Sequence, residues 1–425
     1  MTTTSTEGAP GMTEDDRYLA GLRVLDLTDA KGFMCGKAMG MLGADVIKIE
    51  SPRGDRERHL PPRRDGAPQG EASLYWRSFN TDKRSVTLDL THPRGRDILL
   101  RLAERVDFLI ESFAPGHLAA LGLGYDDLAR VNPRLVMVSI TPFGQTGPLS
   151  GYKGGELIAL AMGAVLNNTG DADRPPVKEA LESTYFQASM AAAYGALIAY
   201  WHVLGGGKGQ QVDVSLQECV VSRQTSGILA WQFERLDLKR EGDKSQLGPV
   251  STTWFWPCKD GHLFWHMLGG LHGAPANRAL TEWMDETLAD NPLREIRDWR
   301  TFDKAGITQA QWNRFEGAIR PFFLTLTKDQ IRTEGKRRGI NACVANDPLD
   351  VLNCDHLASR DYWSLLNDPD LGPLRYPGYL FKTAADRHRT LRPAPALGAD
   401  TDAVLGRDLG LSEAQIRDLR NDHVL

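Results

Sequence analysis

LRVLDLTDAKGFMCGKAMGMLGADVIKIE, Leu22 to Glu50, is the stretch whose reading decides the fold. LRVLDL is a continuous apolar run bounded by Gly21 and Thr28, and ADVIKIE, Ala44 to Glu50, is another. Runs of this kind suit strands buried on both faces. Between them Cys35 to Leu42 has helix-compatible composition, so the unit reads strand, helix, strand. The alternation continues through a strand at Ser85–Leu90, a helix from Pro93 to Glu104, a strand at Val106–Glu111, a helix at Tyr125–Val131 and a strand at Leu135–Ile140. Strands alternating with helices imply a parallel sheet with helical cover, so the fold class is α/β with a Rossmann-like large domain. No G-x-G-x-x-G follows the first strand, where the loop reads TDAKGFMCG, and this disfavours a dinucleotide dehydrogenase. Open parallel sheets bind ligands beyond the carboxyl ends of their strands, which makes the loops after Leu27, Glu50, Glu111 and Ile140 candidate walls of a site.

A second stretch, RPPVKEALESTYFQASMAAAYGALIAYWHVLGGGKGQQVDVSL from Arg174 to Leu216, reads as a Pro-Pro approach, one long helix from Ser183 to Leu204, a glycine turn and a strand from Gln211 to Leu216. Ser183 and Thr184 are N-cap types, and Gly205-Gly206-Gly207 supplies the stop. The helix is apolar on nearly every face, which places it between packed layers. Its first turn, Glu182 to Gln187, presents backbone N–H groups that favour an anion or oxyanion, so chemistry is expected there.

A chain of 425 residues exceeds one ordinary core, and two domains are expected. The boundaries read as a flexible leader at 1–18, a first part of the large domain at 19–236, a small α+β domain at 237–346, and a return to the large domain at 347–425. The small domain carries a hairpin, Trp254 to Met267, turning at Lys259-Asp260-Gly261. A net charge of −5, with no basic stripe, argues against nucleic acid as a partner. Five scattered Cys without CxxC spacing suit a reducing cytoplasm and neither a disulfide framework nor a metal site. The apolar run Ala188–Leu204 is short and interrupted by Ser189, Tyr194, Trp201 and His202, so it reads as a buried helix and not a membrane span.

Eight blocks carry a family resemblance: Leu22–Glu50, Asn80–Leu90 (NTDKRSVTLDL), Glu111–Leu123 (ESFAPGHLAALGL), Ser139–Pro148 (SITPFGQTGP), Gly207–Val212 (GKGQQV), Pro257–His262 (PCKDGH), Gly372–Gly378 (GPLRYPG) and Arg392–Leu405. In this order and spacing the chain resembles the class III CoA-transferases, the formyl-CoA transferase and carnitine CoA-transferase family. The resemblance implies a Rossmann-like large domain, a smaller domain joined by crossing segments, and two subunits interlaced like chain links. It also implies transfer of CoA from an acyl-CoA to a carboxylic acid, begun by an Asp that attacks the thioester to give a mixed anhydride. In the family that Asp lies ten residues beyond the first Pro of a PP pair and seventeen before the position of His202, and here both counts land on Tyr185. A phenol, with a pKa near 10, is almost wholly neutral at pH 7. Glu182, three residues upstream, is the nearest carboxylate and the alternative nucleophile.

Leu88, Asp89, Phe113, Lys153 and Glu156 fall on positions that contact CoA in the family. The loop Asp29-Ala30-Lys31-Gly32 is one residue short, and Ser51 and Ala120 stand where arginines are expected. Those arginines would answer phosphates through forked bonds, so CoA or acyl-CoA, as substrate, is expected to be held mainly by a partner. The first reading is therefore a non-catalytic subunit of a heteromeric enzyme, resembling the two-subunit succinyl-CoA:benzylsuccinate CoA-transferases, whose partner is a homologous catalytic subunit in a heterodimer or heterotetramer. The alternatives are a self-sufficient transferase using Glu182, an acyl-CoA racemase or isomerase, in which Tyr152 would stand where a His is needed, and a stand-alone binding or regulatory protein. Trp254, Phe255, Trp256, Phe264 and Trp265 either line a pocket for a bulky or aromatic acyl group or form ordinary core.

Overall fold

In the computed structural model, which describes residues 17–63, 66, 73–247, 250–303, 306–368, 372–379, 381–382 and 391–425, the chain divides into two compact units. Nearly all of the expected leader lies outside the described residues. The first unit takes in 17–165, 179–229 and 357–425, and the second 166–178 and 230–356. Residues 166–178 join the second unit out of sequence because Gly242 N–H bonds the Gly170 carbonyl and the Arg240 guanidinium bonds the carbonyls of Asp171 and Arg174.

The first unit holds strands β1 (Arg23–Leu27), β2 (Asp45–Glu50), β3 (Lys83–Thr87), β4 (Phe108–Glu111), β5 (Val136–Thr141) and β6 (Gln211–Ser215). All pair in parallel, in the spatial order β3-β2-β1-β4-β5-β6. The order reverses between β1 and β4, and that crevice is where such sheets take ligands. Helices α1 (Phe33–Met41), α2 (Leu74–Phe79), α3 (Pro93–Ala103), α4 (His117–Ala120), α5 (Tyr125–Val131), α6 (Glu156–Met162), α7 (Ser183–Leu204) and α8 (Leu216–Val221) complete the alternation, and α9 (Thr225–Glu234) is divided between the units after Leu229.

Side chains along β1 alternate between two buried layers. Leu25 and Leu27 join Ile47, Leu99, Leu405 and Leu419 in a core that includes α3 and the two C-terminal helices, Thr401–Leu409 and Glu413–Asn421. Asp26 points the other way, toward α1. Gly36 lets that helix close on the strand, because a Cβ there would lie 2.3 Å from Asp26 Oδ2. Gly36→Ala is expected to cost about 1–3 kcal/mol by overpacking, read as a lower urea midpoint at unchanged slope.

α7 buries one stripe, Ala188, Ala192, Ala196, Ala199 and Val203, against the sheet layer. Ser189 Oγ donates to the Lys31 carbonyl at 3.1 Å, and the Tyr200 hydroxyl reaches Asp107 Oδ1 at 3.2 Å. The expectation that this helix lies between two packed layers is met on one side alone. Its opposite stripe leaves Tyr194, Ile198 and Trp201 exposed by 62%, 66% and 76%.

The second unit contains the antiparallel pair β7 (Lys244–Leu247) and β8 (Val250–Thr253), and a sheet ordered β11-β10-β9 from β9 (Phe255–Cys258), β10 (Gly261–Trp265) and β11 (Ala342–Val344). Helices α10 (Gly270–Asp285), α11 (Gln309–Leu324) and α12 (Lys328–Arg338) cover one face. Strand parity divides the aromatic run: Trp256 and Trp265 are buried with Trp312 and Phe323, while Phe255 and Phe264 lie on the outward side, and Trp254, which precedes β9, packs edge-on against Phe264.

Candidate functional site

Neither expected N-cap residue caps α7. The N-cap is Glu182, whose side chain makes no capping bond, and the Ser183 hydroxyl donates instead to Glu179 Oε2. The exposed N–H groups are satisfied from elsewhere: Glu156, the buried first residue of α6, accepts Thr184 N–H on Oε1 at 3.1 Å and Tyr185 N–H on Oε2 at 3.3 Å. In return the Tyr185 hydroxyl accepts Glu156 N–H at 3.1 Å. A Cβ on Gly155 would lie 2.9 Å from that hydroxyl, so the glycine permits the approach. The anion seat at the start of α7 is thus taken by a carboxylate of the chain itself, where the helix dipole favours negative charge. Burial raises the Tyr185 phenol above its ordinary value, so it is neutral at pH 7. Glu156→Gln, which keeps one acceptor oxygen and loses the charge, is expected to cost about 1–2 kcal/mol, measured by thermal unfolding.

The loops at the switch point are tied together beside this helix start. Asp29 N–H donates to Ser112 Oγ at 2.8 Å, and the same hydroxyl donates to Asp29 Oδ1 at 2.9 Å, joining the loops after β1 and β4. Lys31 pairs with Asp29 through its ammonium. Glu111, the buried last residue of β4, accepts Phe113 N–H at 2.7 Å and is pushed up to about 7, first by burial, with the nearby Asp213 carboxylate acting in the same sense. Arg56 and Glu57 follow β2. Arg56 Nε donates to the buried Glu57 at 2.9 Å, and its guanidinium lies within electrostatic reach of Asp29 and Tyr185. Tyr75 on α2 is in turn a neighbour of Glu182, Tyr185, Glu57 and Asp29. Sequence reasoning missed Arg56, Glu57 and Tyr75, which come to Tyr185 only through the fold.

Of the residues assigned by resemblance, the structure groups Glu156, Tyr185 and Glu182 at the start of α7. Glu156 is spent as the cap just described. Phe113 stands on the switch-point loop, stacked on His117 with ring centres 4.8 Å apart. Leu88 is buried after β3, and Asp89 uses Oδ1 to accept the N–H and hydroxyl of Thr91. Lys153 is exposed, as are Ser51 and Ala120. Tyr152 is 64% exposed. No group of three or more metal-ligating side chains occurs among the described residues.

On another flank of α7 lies an open cleft of ≈ 730 Å³, lined by Phe186, Met190 and Tyr194 of the helix and by Asp213, Glu218 and Arg223. Arg223 is paired with Glu179 at 2.6 Å.

A family model described as CoA-transferase family III matches residues 19–401. The Thauera aromatica protein named succinyl-CoA:(R)-benzylsuccinate CoA-transferase subunit BbsE is 32% identical over 387 residues, 90% of this chain and 92% of that protein. The succinyl-CoA--D-citramalate CoA-transferase of Chloroflexus aurantiacus is 30% identical over 411 residues, 96% of this chain and 98% of its own length. Among solved structures, a CAIB/BAIF family protein from Brucella suis superposes with a TM-score of 0.78 at 24% identity, covering 92% of this chain and 99% of that one, and bears on the fold alone.

Proposed function

This chain belongs to CoA-transferase family III, and from that premise we propose that it is the structural subunit of a two-chain CoA-transferase whose attacking carboxylate comes from a homologous partner. The observation that carries the reading is the seat at the start of α7: its N–H groups are bonded to Glu156, and the phenol of Tyr185 stands over Glu156 N–H. A neutral phenol whose oxygen already accepts a hydrogen bond is a poor nucleophile for a thioester carbonyl.

In the partner, a carboxylate oxygen would attack that carbonyl, the C–S bond would break, and CoA would leave as thiolate, giving an acyl–enzyme anhydride. The thiolate would then attack the enzyme's own carbonyl in that anhydride, releasing the donor acid and leaving an enzyme–CoA thioester, from which the acceptor acid takes CoA. Of the family's CoA-contact positions, Phe113 and Lys153 remain available to share in holding the acyl-CoA, whereas Leu88 is buried in the core, Asp89 is engaged with Thr91, and Ser51 and Ala120 carry no cation for phosphates. The names of the two relatives support succinyl-CoA as donor, and that of the first supports a bulky, aromatic acceptor acid of the benzylsuccinate kind.

The exposed stripe of α7 and the cleft beside it support an interlaced homologous partner, because apolar side chains such as Ile198 and Trp201 remain in water in the single chain. The free state of all five cysteines supports a cytoplasmic setting. No helix of the described residues is long and apolar enough to cross a membrane.

The test is co-expression with a homologue that carries Asp at the aligned position. Tyr185→Phe and Glu182→Gln in that complex should each change turnover by less than about three-fold, whereas loss of a true nucleophile removes orders of magnitude. A collapse with Glu182→Gln would establish the self-sufficient alternative instead.

A further inference from the structure

Two loops beyond the carboxyl ends of the parallel strands, after β1 and after β2, meet at one buried ammonium. Lys48, on β2 and 1% exposed, donates through Nζ to the Thr28 carbonyl at 2.7 Å and pairs with Asp55 Oδ2 at 2.9 Å. Thr28 opens the loop after β1 and Asp55 ends the turn after β2, so a single cation holds both segments. Thr28 is gripped from its other side as well, since Asp26 Oδ1 accepts its N–H at 3.0 Å and its hydroxyl at 2.7 Å. Asp55 N–H donates to Glu50 Oε2 at 3.3 Å, and Glu50 takes the Arg58 guanidinium in a fork at 2.7 and 2.8 Å. Residues 51–55 are thereby folded back onto the strand that precedes them.

These bonds fix what the loops present. Asp29 and Lys31 follow Thr28, Arg56 and Glu57 follow Asp55, and Ser112 already ties the first loop to the one after β4. Lys48 extends that series, so the loops after β4, β1 and β2 are joined in one chain of contacts. A buried ion pair is weak grounds for stability, because the cost of desolvating both charges offsets much of their attraction. What it does supply is geometry, since one cation with acceptors on two segments sets their spacing. Around the pair stand Asp26 on β1, Glu50 on β2, Lys83 on β3, and Glu57 and Arg58 on the turn that follows Asp55. Burial first, then the Glu50 and Glu57 charges, push the Asp55 carboxyl up to about 6 against the pull of Lys48, so it is ionised at pH 7 and neutral in mild acid.

We propose that Lys48 and Asp55 are positioning residues: by clasping the loops after β1 and β2 they set the wall against which this chain receives acyl-CoA. The proposal rests on the reading that this chain shares in holding acyl-CoA, with Phe113 on the neighbouring loop after β4. Loops already placed lose little freedom when the ligand arrives, and that preorganisation is expressed as affinity. Loosening the clasp therefore weakens binding even where the fold survives.

The experiment is calorimetric titration of the co-purified complex with CoA itself, across mildly acidic to neutral pH, with the unfolding midpoint of each variant measured beside it. At pH 7, Asp55→Asn, which keeps the volume and one acceptor oxygen, should weaken CoA by about three-fold or more, and Lys48→Met by about ten-fold. The double variant should bind no worse than Lys48→Met alone, because both changes act through one contact. The Asp55→Asn dissociation constant divided by that of the parent, a ratio in which the titration of CoA's own phosphates cancels, should fall toward one as the pH drops through about 6. If Lys48→Met fails to fold, this ratio still decides the matter. A CoA affinity unchanged in Asp55→Asn, or reduced by the same factor at every pH, would overturn the clasp and leave a merely structural ion pair. Phe113→Leu reports on the reading beneath it: several-fold weaker CoA binding is expected, and unchanged binding would overturn that reading.

Discussion

Lys83→Met should destabilise the chain by about 3–5 kcal/mol, the cost of leaving a buried charge without its partner. Lys83 is 4% exposed and spends all three ammonium protons, on Asp26 Oδ2 at 2.8 Å, the Phe33 carbonyl at 2.9 Å and Asn80 Oδ1 at 2.9 Å. Asp26 is fully buried. Burial pushes its carboxyl up, and the Lys83 and Lys48 cations more than offset that, holding it below the usual range. Methionine preserves bulk, removes the nearer countercharge and leaves Asp26 Oδ2 and Asn80 Oδ1 without the donor they share, while Asp26 Oδ1 keeps its bonds from Thr28. The check is chemical denaturation of Lys83→Met beside the Asp26→Asn/Lys83→Met pair. The double variant should recover part of the loss, because it no longer buries an unpaired carboxylate. If both variants lose equally, packing and not charge is what Lys83 contributes.

Glu111→Gln should act in the opposite direction and only at higher pH. The Glu111 carboxyl titrates at about 7 in the folded chain against an ordinary value of 4.5. Between those values the folded state binds more protons than the unfolded chain, so this group makes stability fall as pH rises, and the full penalty stands above about pH 7. Glutamine accepts Phe113 N–H with no charge to bury. Its advantage over the parent should therefore be near zero at pH 4.5, grow through pH 7 and level off at no more than about 3 kcal/mol. The readout is the difference between the two unfolding midpoints across pH. A difference that stays flat, or that shrinks as pH rises, would contradict this assignment.

The first unit was legible because its signals are local. β1 and β2 are short apolar runs, and the alternation onward to β5 leaves little choice but a parallel sheet. The bounds of α7 followed from Gly205 and Gly206 on one side and the end of the extended approach on the other. Its cap was not legible, because the capping carboxylate lies on another helix, 28 residues away in sequence from Thr184. Asp26 reads as a polar residue inside a strand pattern and Lys83 lies just before the strand expected at Ser85–Leu90, and nothing in either announces that they meet over β2, beside α1. Strand parity could have divided the aromatics: Trp256 and Trp265 face the core, while Phe255 and Phe264 are directly paired on the outward side. Arg56 and Tyr75 were invisible as site residues for a plainer reason. They sit on a 3₁₀ turn, Arg56–His59, and a short helix, and only the fold brings them near Tyr185.

The central claim is that this polypeptide holds the transferase architecture and leaves the covalent step to another chain. Intact-mass measurement of both chains of the co-purified complex, quenched in the presence of acyl-CoA, tests it most directly. The account predicts that a CoA thioester or an acyl adduct appears on the partner while the mass of this chain stays unchanged. A hydroxylamine-sensitive adduct on this chain would contradict it.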